Sequence, residues 1–246
     1  MIITTTQTEL KQKIDLVKRN IEKININISE NTSPIFVELI GTPKSGKTTF
    51  LKSVKNAFEQ TGVTIFTRRE TAEYNPVPKD SKQYDLWMVL ELFKNLSEDI
   101  SNGNGKIMLY DRGIFDRLTW LECDRRRNQI TENDYKRMQE LYKLDLMQDY
   151  RPITYCFLTS PELSVKRKGK PGKFVNVEML TEYNNELMDE CDMIKNMSSE
   201  FNIVKTDEYE GRIEEFILDL SLDMTNRISR QLEERKMEKE KSIERE

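Results

Sequence analysis

The clearest chemical signal in the sequence lies in eight consecutive residues. Gly41-Thr42-Pro43-Lys44-Ser45-Gly46-Lys47-Thr48 fits the pattern GxxxxGK(S/T) at every fixed position. The two glycines let the backbone curl closely around a polyphosphate, so that its N–H groups point inward. We expect Lys47 to reach the β- and γ-phosphates and the Thr48 hydroxyl to ligate Mg²⁺. The predicted nucleotide-binding set comprises these eight residues and Thr49.

The residues on either side of this loop favour the same interpretation. Ile35–Ile40 is almost entirely apolar, which predicts a buried strand. The segment after the loop places its apolar side chains on one helical face: Phe50, Leu51, Val54, Ala57 and Phe58. A strand, a glycine-rich loop and a helix in this order form a phosphate-binding unit. The alternative, a glycine-rich turn that arose by chance, leaves both flanking elements unexplained.

A second candidate is the acid that follows the apolar run Ile107–Tyr110. Asp111 ends this predicted strand, and a P-loop site needs an acid on the neighbouring strand to hold Mg²⁺, directly or through water. Strands also end in Asp simply as a turn former, and the combination with the loop favours the metal role. Arg112 follows at once and is expected in the crevice at the carboxyl ends of the strands.

A third candidate is Thr67-Arg68-Arg69-Glu70, directly after the predicted strand Val63–Phe66. An arginine and a carboxylate at a strand end can bind an acceptor and take its proton. If Glu70 is the base, it activates a hydroxyl, which favours a nucleoside acceptor. If Arg68 and Arg69 bind a phosphate, the acceptor is a monophosphate. A solvated charged loop is the alternative to both.

The fourth candidate is the basic segment Lys166–Lys173, with five cations in eight residues and with Gly169, Pro171 and Gly172 as hinges. A mobile basic loop can close over a triphosphate and stabilise the charge on a transferring phosphoryl group. We expect Arg167 to supply that charge. The alternatives are a solvated loop and one that binds nucleic acid. Arg125–Arg127 is a further basic run, expected at an exposed helix end.

Composition limits the chemistry and the environment. None of the 246 residues is histidine, which excludes an imidazole base, a Ser-His pair and a histidine-bound metal. The net charge of −4 gives no global attraction to nucleic acid or to an anionic membrane. The three cysteines are widely separated, which supports neither a disulfide framework nor a zinc site. The longest apolar run, Leu86–Leu90, is far short of the roughly 20 residues of a membrane span. With no signal peptide in residues 1–10, the expected location is the cytoplasm.

The chain between residues 31 and 222 alternates short apolar runs with helical patterns. Helix starts are predicted at Thr131, in a capping-box pattern, and at Ser160, which precedes a proline. Five strands alternating with helices predict an α/β domain whose parallel sheet is covered on both faces. The predicted strands are Ile35–Ile40, Val63–Phe66, Ile107–Tyr110, Thr154–Leu158 and Asn202–Val204.

Both ends of the chain carry amphipathic helical patterns. Residues 8–28 and 213–232 place apolar side chains alternately three and four residues apart. We therefore divide the chain into an N-terminal helix (1–30), a central domain (31–222, with a lid at about 164–176) and a charged C-terminal helical tail (223–246). The helices either dock on the domain or form the seam of a homodimer. Fewer than three full heptads in each favours docking.

In the order and spacing of these parts, residues 35–220 resemble the P-loop nucleoside and nucleotide kinases, especially the thymidylate kinase and deoxynucleoside kinase group. Thr67–Glu70 looks like that family's acceptor-binding or catalytic element after strand two. Asp111-Arg112-Gly113 looks like its Asp-Arg or Glu-Arg-Ser element, and Lys166–Lys173 looks like its lid. The resemblance implies a three-layer P-loop NTPase fold with a five-stranded parallel sheet in the order 2-3-1-4-5. It also implies ATP-dependent phosphorylation of a nucleoside or nucleotide.

The leading hypothesis is therefore a kinase for a nucleoside or a nucleoside monophosphate that uses ATP and Mg²⁺. The expected catalytic residues are Lys47, Glu70, Asp111, Arg112 and Arg167. The acceptor is expected to contact Arg68, Arg69, Glu70 and Arg112, and the metal to contact Thr48 and Asp111. Two alternatives remain. One is a P-loop ATPase or GTPase switch that acts on a protein partner, and the other is a polynucleotide 5′-end kinase, which the negative net charge disfavours.

Overall fold

Five parallel strands form the centre of the computed structural model, which describes residues 7–31, 33–172 and 175–243. The strand order is β2-β3-β1-β4-β5. Both the predicted fold class and the strand order that the resemblance implied are confirmed. The strands are β1 (Ile35–Gly41), β2 (Ile65–Arg68), β3 (Ile107–Asp111), β4 (Ile153–Leu158) and β5 (Glu200–Lys205).

Helices cover both faces of this sheet. Every residue of β1 and β3 is buried, as expected for strands with a helical layer on each side. Each predicted strand is found, with ends that differ from the prediction by no more than two residues. The helices are α1 (Gln7–Ile28), α2 (Lys47–Gln60), α3 (Tyr84–Asn102), α4 (Ile114–Arg126), α5 (Glu132–Leu141), α6 (Leu146–Asp149), α7 (Pro161–Lys168), α8 (Val177–Asp189), α9 (Cys191–Met197) and α10 (Ile213–Ile243).

Alternate residues of the central strands β1, β3 and β4 enter two separate cores. Val37 and Leu39 face the core that α1, α2 and α10 complete, whereas Phe36 and Ile40 face the core that α3, α4, α5 and α8 complete. This alternation follows from the two-residue period of a strand. The core on the α4 side lies directly beneath the candidate site.

The helices at the two ends of the chain pack against each other. The Asn20 amide donates hydrogen bonds to Thr225 (3.1 Å) and Asn226 (2.7 Å), and Lys13 pairs with Asp219. Most of the apolar seam of each helix is buried in the same core, so both helices dock on the domain, whereas Ile14 and Ile213 stay exposed. Helix α10 continues through residue 222, where we predicted a boundary. Residues 1–6 and 244–246 of the predicted terminal segments lie outside the described residues.

Local signals explain where several helices begin. The Thr131 side chain accepts a hydrogen bond of 3.1 Å from the Asp134 N–H, which confirms the predicted cap of α5. Pro161 is the first residue of α7, as predicted, although the Ser160 side chain makes no capping hydrogen bond. No helix in the described ranges is both long and apolar enough to cross a membrane.

Candidate active site

The GxxxxGK(S/T) loop connects the carboxyl end of β1 to the start of α2, as predicted. Gly41 has φ 119°, and a Cβ there would lie 2.1 Å from the Phe157 carbonyl oxygen on β4. Only glycine fits so close to a neighbouring strand. Gly46, with φ 101°, turns the chain into the first helical turn. The loop therefore opens its backbone toward the space above the sheet.

The Lys47 ammonium lies inside this loop. It donates hydrogen bonds to the carbonyl oxygens of Gly41 (2.7 Å) and Thr42 (2.8 Å) and to the Ser45 hydroxyl (3.2 Å). Burial lowers the pKa of Lys47 to about 7, and the nearby Arg112 acts in the same direction. A lysine with this pKa is poised to gain positive charge when a polyanion arrives.

The two predicted metal ligands are in contact. The Thr48 hydroxyl donates a hydrogen bond of 2.8 Å to Oδ2 of Asp111, and both residues line one cavity. A hydroxyl and a single carboxylate suit Mg²⁺, which takes few protein ligands and completes its shell with phosphate oxygens and water. Within the described ranges there is no group of three or more acidic or cysteine side chains that would hold a metal by itself. The residues present therefore fit a magnesium ion that arrives with a nucleotide.

Arg112 and Glu70 face each other across the floor of the cavity. The Nε atom of Arg112 lies 3.4 Å from Oε2 of Glu70, and its Nη1 donates to Asp116 at 2.8 Å. Arg112 has φ 61°, an unusual conformation for a residue with a side chain. Burial lowers the pKa of Arg112, but Asp116 and Glu70 more than offset this effect and keep the guanidinium charged. An acceptor placed here meets a carboxylate and a fixed cation together.

Asp116 is a central residue of the site that the sequence analysis did not identify. Its Oδ1 atom accepts hydrogen bonds from the Gly41 N–H (3.0 Å), the Tyr183 hydroxyl (2.8 Å) and Arg112 Nη1 (3.1 Å). Burial raises the pKa of Asp116, and the charges of Arg112 and Lys47 outweigh it, so that the net shift is downward. The carboxylate therefore stays ionised.

The structure separates the residues of the third candidate. Glu70 lines the cavity, and Arg69 is not among its lining residues. Arg68 is turned toward α3, where Nε and Nη2 donate to the Asp99 carboxylate at 2.8 and 2.6 Å. Asp99 also accepts a hydrogen bond from Tyr110, and its hydrogen bonds with Arg68 raise the pKa of that arginine. Arg68 is thus held in an ion pair with α3 and does not line the cavity, where we had expected it to contact an acceptor.

The predicted lid, residues 164–176, includes the second half of α7 and the loop that follows it, of which Lys173 and Phe174 lie outside the described residues. Lys166, Arg167 and Lys168, predicted in a mobile loop, lie in the last turn of α7. Ser164 donates a hydrogen bond to the Pro43 carbonyl, which attaches α7 to the phosphate-binding loop. Among the described residues of Lys166–Lys173, Arg167 is the one that lines the cavity. Its Nη1 lies 3.4 Å from both the Lys44 carbonyl oxygen and the Thr206 hydroxyl. Lys166 instead pairs with Glu210 at 2.9 Å.

The cavity has a volume of about 590 Å³ and extends from the loop to a second, deeper end. Arg117 lies at this end and forms ion pairs with Asp85 and with Asp124, the latter at 2.9 Å. The Arg117 Nε atom is buried without a hydrogen-bond partner. Apolar side chains complete the walls: Met88, Leu92, Trp120 and Met179. The deeper end thus combines flat apolar surface with both hydrogen-bond donors and acceptors.

A pattern in the sequence could have identified these residues. Asp116, Trp120 and Asp124 are four residues apart, so they share one face of any helix that begins after Gly113. That helix begins shortly after Asp111, the acid that ends β3. The face that carries these three residues is therefore expected beside the crevice at the carboxyl ends of the strands. Glu38 fixes the start of α4, because its carboxylate accepts hydrogen bonds from the N–H groups of Phe115 (2.8 Å) and Asp116 (3.4 Å).

The chain was compared with known proteins. No protein-family model matches it, and no curated protein sequence matches it. A structure of deoxyadenosine kinase from M. mycoides with dCMP and dCDP bound is similar, with a TM-score of 0.60, 16% identity and coverage of 79% of this chain and 100% of that one. The structure of the same enzyme with dATP has a TM-score of 0.57 and 17% identity, with coverage of 76% of this chain and 98% of that one. The structure with dCTP has a TM-score of 0.55 and 14% identity, with coverage of 78% of this chain and 99% of that one. This chain therefore has a P-loop fold like that of the deoxynucleoside kinases.

Proposed function

We propose that the protein is a kinase that transfers the γ-phosphate of ATP to a hydroxyl group of a nucleoside. The observation that carries this proposal is the Arg112–Glu70 pair, which shares one cavity with Lys47, Thr48 and Asp111. A phosphate donor and a hydroxyl acceptor can meet there. Transfer between them is governed by positioning and electrostatics.

The position of Arg68 favours a nucleoside over a nucleoside monophosphate. Of the two arginines expected to bind an acceptor phosphate, Arg68 is bound to Asp99 and Arg69 is not among the residues that line the cavity. Glu70 lines the cavity beside Arg112 and can act as a base toward a neutral hydroxyl. In the proposed step, the hydroxyl proton moves to Glu70 while the acceptor oxygen forms a bond to the γ-phosphorus. The bond from that phosphorus to the bridging oxygen breaks, and ADP leaves.

The deeper end of the cavity suits the base of the acceptor. Flat heteroaromatic rings pack well against Trp120 and Met88, which line this end. The carboxylates of Asp85 and Asp124 offer hydrogen-bond acceptors, and the Arg117 guanidinium that pairs with both of them offers donors. A nucleobase edge that carries a donor beside an acceptor complements this set. The acceptor is therefore proposed to span from Arg117 to Glu70.

The donor end is proposed to hold ATP with Mg²⁺. Backbone N–H groups of the loop and the Lys47 ammonium would bind the phosphates, and Arg167 would approach from the lid. Thr48 and Asp111 would hold the magnesium ion, which on binding offsets the charge of the β- and γ-phosphate oxygens. Lid closure would exclude water and so prevent hydrolysis of ATP.

An acceptor screen tests the proposal. The purified chain is incubated with γ-labelled ATP and with nucleosides, nucleoside monophosphates or short oligonucleotides. The proposal expects label in a nucleoside monophosphate and little release of labelled phosphate when no acceptor is present. Label in oligonucleotides would indicate a polynucleotide kinase. Release of phosphate that no acceptor stimulates would indicate an ATPase switch, and either result would contradict the proposal.

A further inference from the structure

Asp116 accepts hydrogen bonds from three elements whose relative positions matter for the proposed reaction. Its donors are the Gly41 N–H of the phosphate-binding loop, the Arg112 guanidinium of the acceptor end and the Tyr183 hydroxyl of α8. Helix α8 is the helix that follows the lid. The Asp116 side chain is 3% exposed, so water does not replace any of these donors.

All three donors converge on a single oxygen atom. Oδ1 accepts from Gly41 at 3.0 Å, from Tyr183 at 2.8 Å and from Arg112 at 3.1 Å, whereas Oδ2 accepts from Arg112 alone among them. A carboxylate oxygen has about two lone-pair directions, so three donors compete for them. A shift of one donor therefore changes how strongly the other two are held. Hydrogen bonds that share an atom in a dry interior are coupled in this way.

Helix α8 has a second attachment to the same loop. The Thr42 hydroxyl donates to Asn184 Oδ1 at 2.7 Å, and Asn184 in turn donates to the Thr159 carbonyl at 2.9 Å. Helix α8 is therefore joined to the loop at two points, at Gly41 through Asp116 and at Thr42 through Asn184.

From this geometry we infer that Asp116 is a positioning residue that couples occupation of the donor end to binding at the acceptor end. The inference rests on the proposed function, because it takes the two ligands to be a nucleoside triphosphate and a nucleoside. A bound triphosphate fixes Gly41, which fixes Asp116 and then Arg112 in the orientation that faces Glu70. By linkage, the nucleoside tightens the triphosphate by the same factor.

Calorimetric titration of both ligands measures this coupling. The nucleoside found in the acceptor screen is titrated into the full chain with and without a non-hydrolysable ATP analogue. We expect the analogue to tighten the nucleoside by a factor of about 10 in the parent protein, within the usual range for coupled sites. In Asp116→Asn the factor should fall close to one, and Asp116→Glu should restore part of it. Analogue binding alone should be retained or strengthened, because the variant removes a negative charge from the phosphate site.

Asp99→Asn is a matched control. Asp99 is also a buried carboxylate that accepts an arginine and a tyrosine hydroxyl, here Arg68 and Tyr110, but it lies outside the cavity. Its loss should lower stability and leave the coupling factor at the parent value. If Asp116→Asn does not fold, Tyr183→Phe removes one of the three donors and keeps the ring, and an intermediate factor is expected. A parental coupling factor in a folded Asp116 variant, or an equal loss in Asp99→Asn, would overturn the inference. Failure of the parent protein to bind either ligand would instead overturn the proposed function, and the inference would fall with it.

Discussion

The Thr48 hydroxyl and Oδ2 of Asp111 are 2.8 Å apart and joined by a hydrogen bond. Parallel pairing of β1 with β3 sets Leu39 opposite Asp111, so the acid lies beside the strand that leads into the phosphate-binding loop. One oxygen therefore comes from the loop and the other from the neighbouring strand. This contact between elements distant in sequence brings the two predicted metal ligands to one point of the cavity.

Replacing Asp111 tests that point. In the proposed site, Asp111→Asn puts a neutral amide oxygen where a carboxylate would bind Mg²⁺, and the amide is the weaker ligand. We expect the Mg²⁺ concentration needed for half-maximal activity to rise by a factor of about 10 or more, a change measured by Mg²⁺ titration at saturating ATP. Thr48→Ser retains a hydroxyl and serves as the control. Superimposable titrations of Asp111→Asn and the parent would show that Asp111 is only a turn residue.

From the lowered pKa of Lys47 we predict that a proton is taken up when a nucleotide binds. Burial lowers its pKa to about 7 in the ligand-free chain, and a triphosphate would raise that pKa again. At about pH 8 the free lysine is mostly neutral, so binding of a non-hydrolysable ATP analogue should take up close to one proton. Calorimetry in buffers of different ionisation enthalpy measures this uptake. It should disappear in Lys47→Ala, which should also abolish phosphate transfer while the protein stays folded. Identical binding enthalpies in all buffers would contradict the assignment.

The lid prediction concerns Arg167. Because a cation that approaches the γ-phosphate acts chiefly on charge that develops during transfer, Arg167→Ala should lower kcat more than it weakens ATP binding. Loss of such a contact typically costs a factor of about 10³ in rate. Lys166→Ala is the matched control, since Lys166 pairs with Glu210 and does not line the cavity. Equal kcat values for Arg167→Ala and Lys166→Ala would remove the lid cation from the mechanism.

From the raised pKa of the buried Glu38 carboxyl we predict how the free energy of unfolding depends on pH. Burial raises the pKa of Glu38 from 4.5 to about 7, although Tyr150 and the Phe115 N–H donate to its carboxylate. The folded chain therefore favours the protonated form. Its contribution to stability is complete below pH 4.5 and is lost as the pH rises through about 7. The loss amounts to about 3 kcal/mol. Denaturant unfolding at several pH values should show a shallower decline in Glu38→Gln than in the parent. Parallel profiles would show that Glu38 does not titrate as its burial requires.

The sequence was sufficient to predict the fold and the place of the Gly41–Thr48 loop between β1 and α2, because both depend on local patterns. The strands are short apolar runs with clear ends, and the loop of Gly41–Thr48 has a spacing that few other structures require. The contact between Thr48 and Asp111 followed from the rule that parallel strands meet at their carboxyl ends.

The proposed acceptor half of the site was harder to predict, because it depends on pairings between distant elements. Arg68 and Glu70 are only two residues apart in sequence. Arg68 nevertheless donates hydrogen bonds to Asp99 on α3, whereas Glu70 lines the cavity. Asp85 and Arg117 are 32 residues apart in sequence and carry no motif. Asp116 looks like an ordinary helical carboxylate until the Gly41 N–H and Tyr183 are seen to converge on it. Such contacts are set by tertiary packing, which composition and spacing do not specify.

The most direct test of the central claim is the product balance with a variant at Glu70. ADP and nucleoside monophosphate are quantified by chromatography after reaction of ATP with a nucleoside. For the parent we predict equal amounts of both products and no ADP without the nucleoside. Glu70→Gln should lower the rate by a factor of about 10² or more, as expected for loss of a general base. Glu98→Gln, an exposed carboxylate outside the cavity, should behave as the parent. ADP formed without a matching amount of nucleoside monophosphate, or an unchanged rate in Glu70→Gln, would contradict the account.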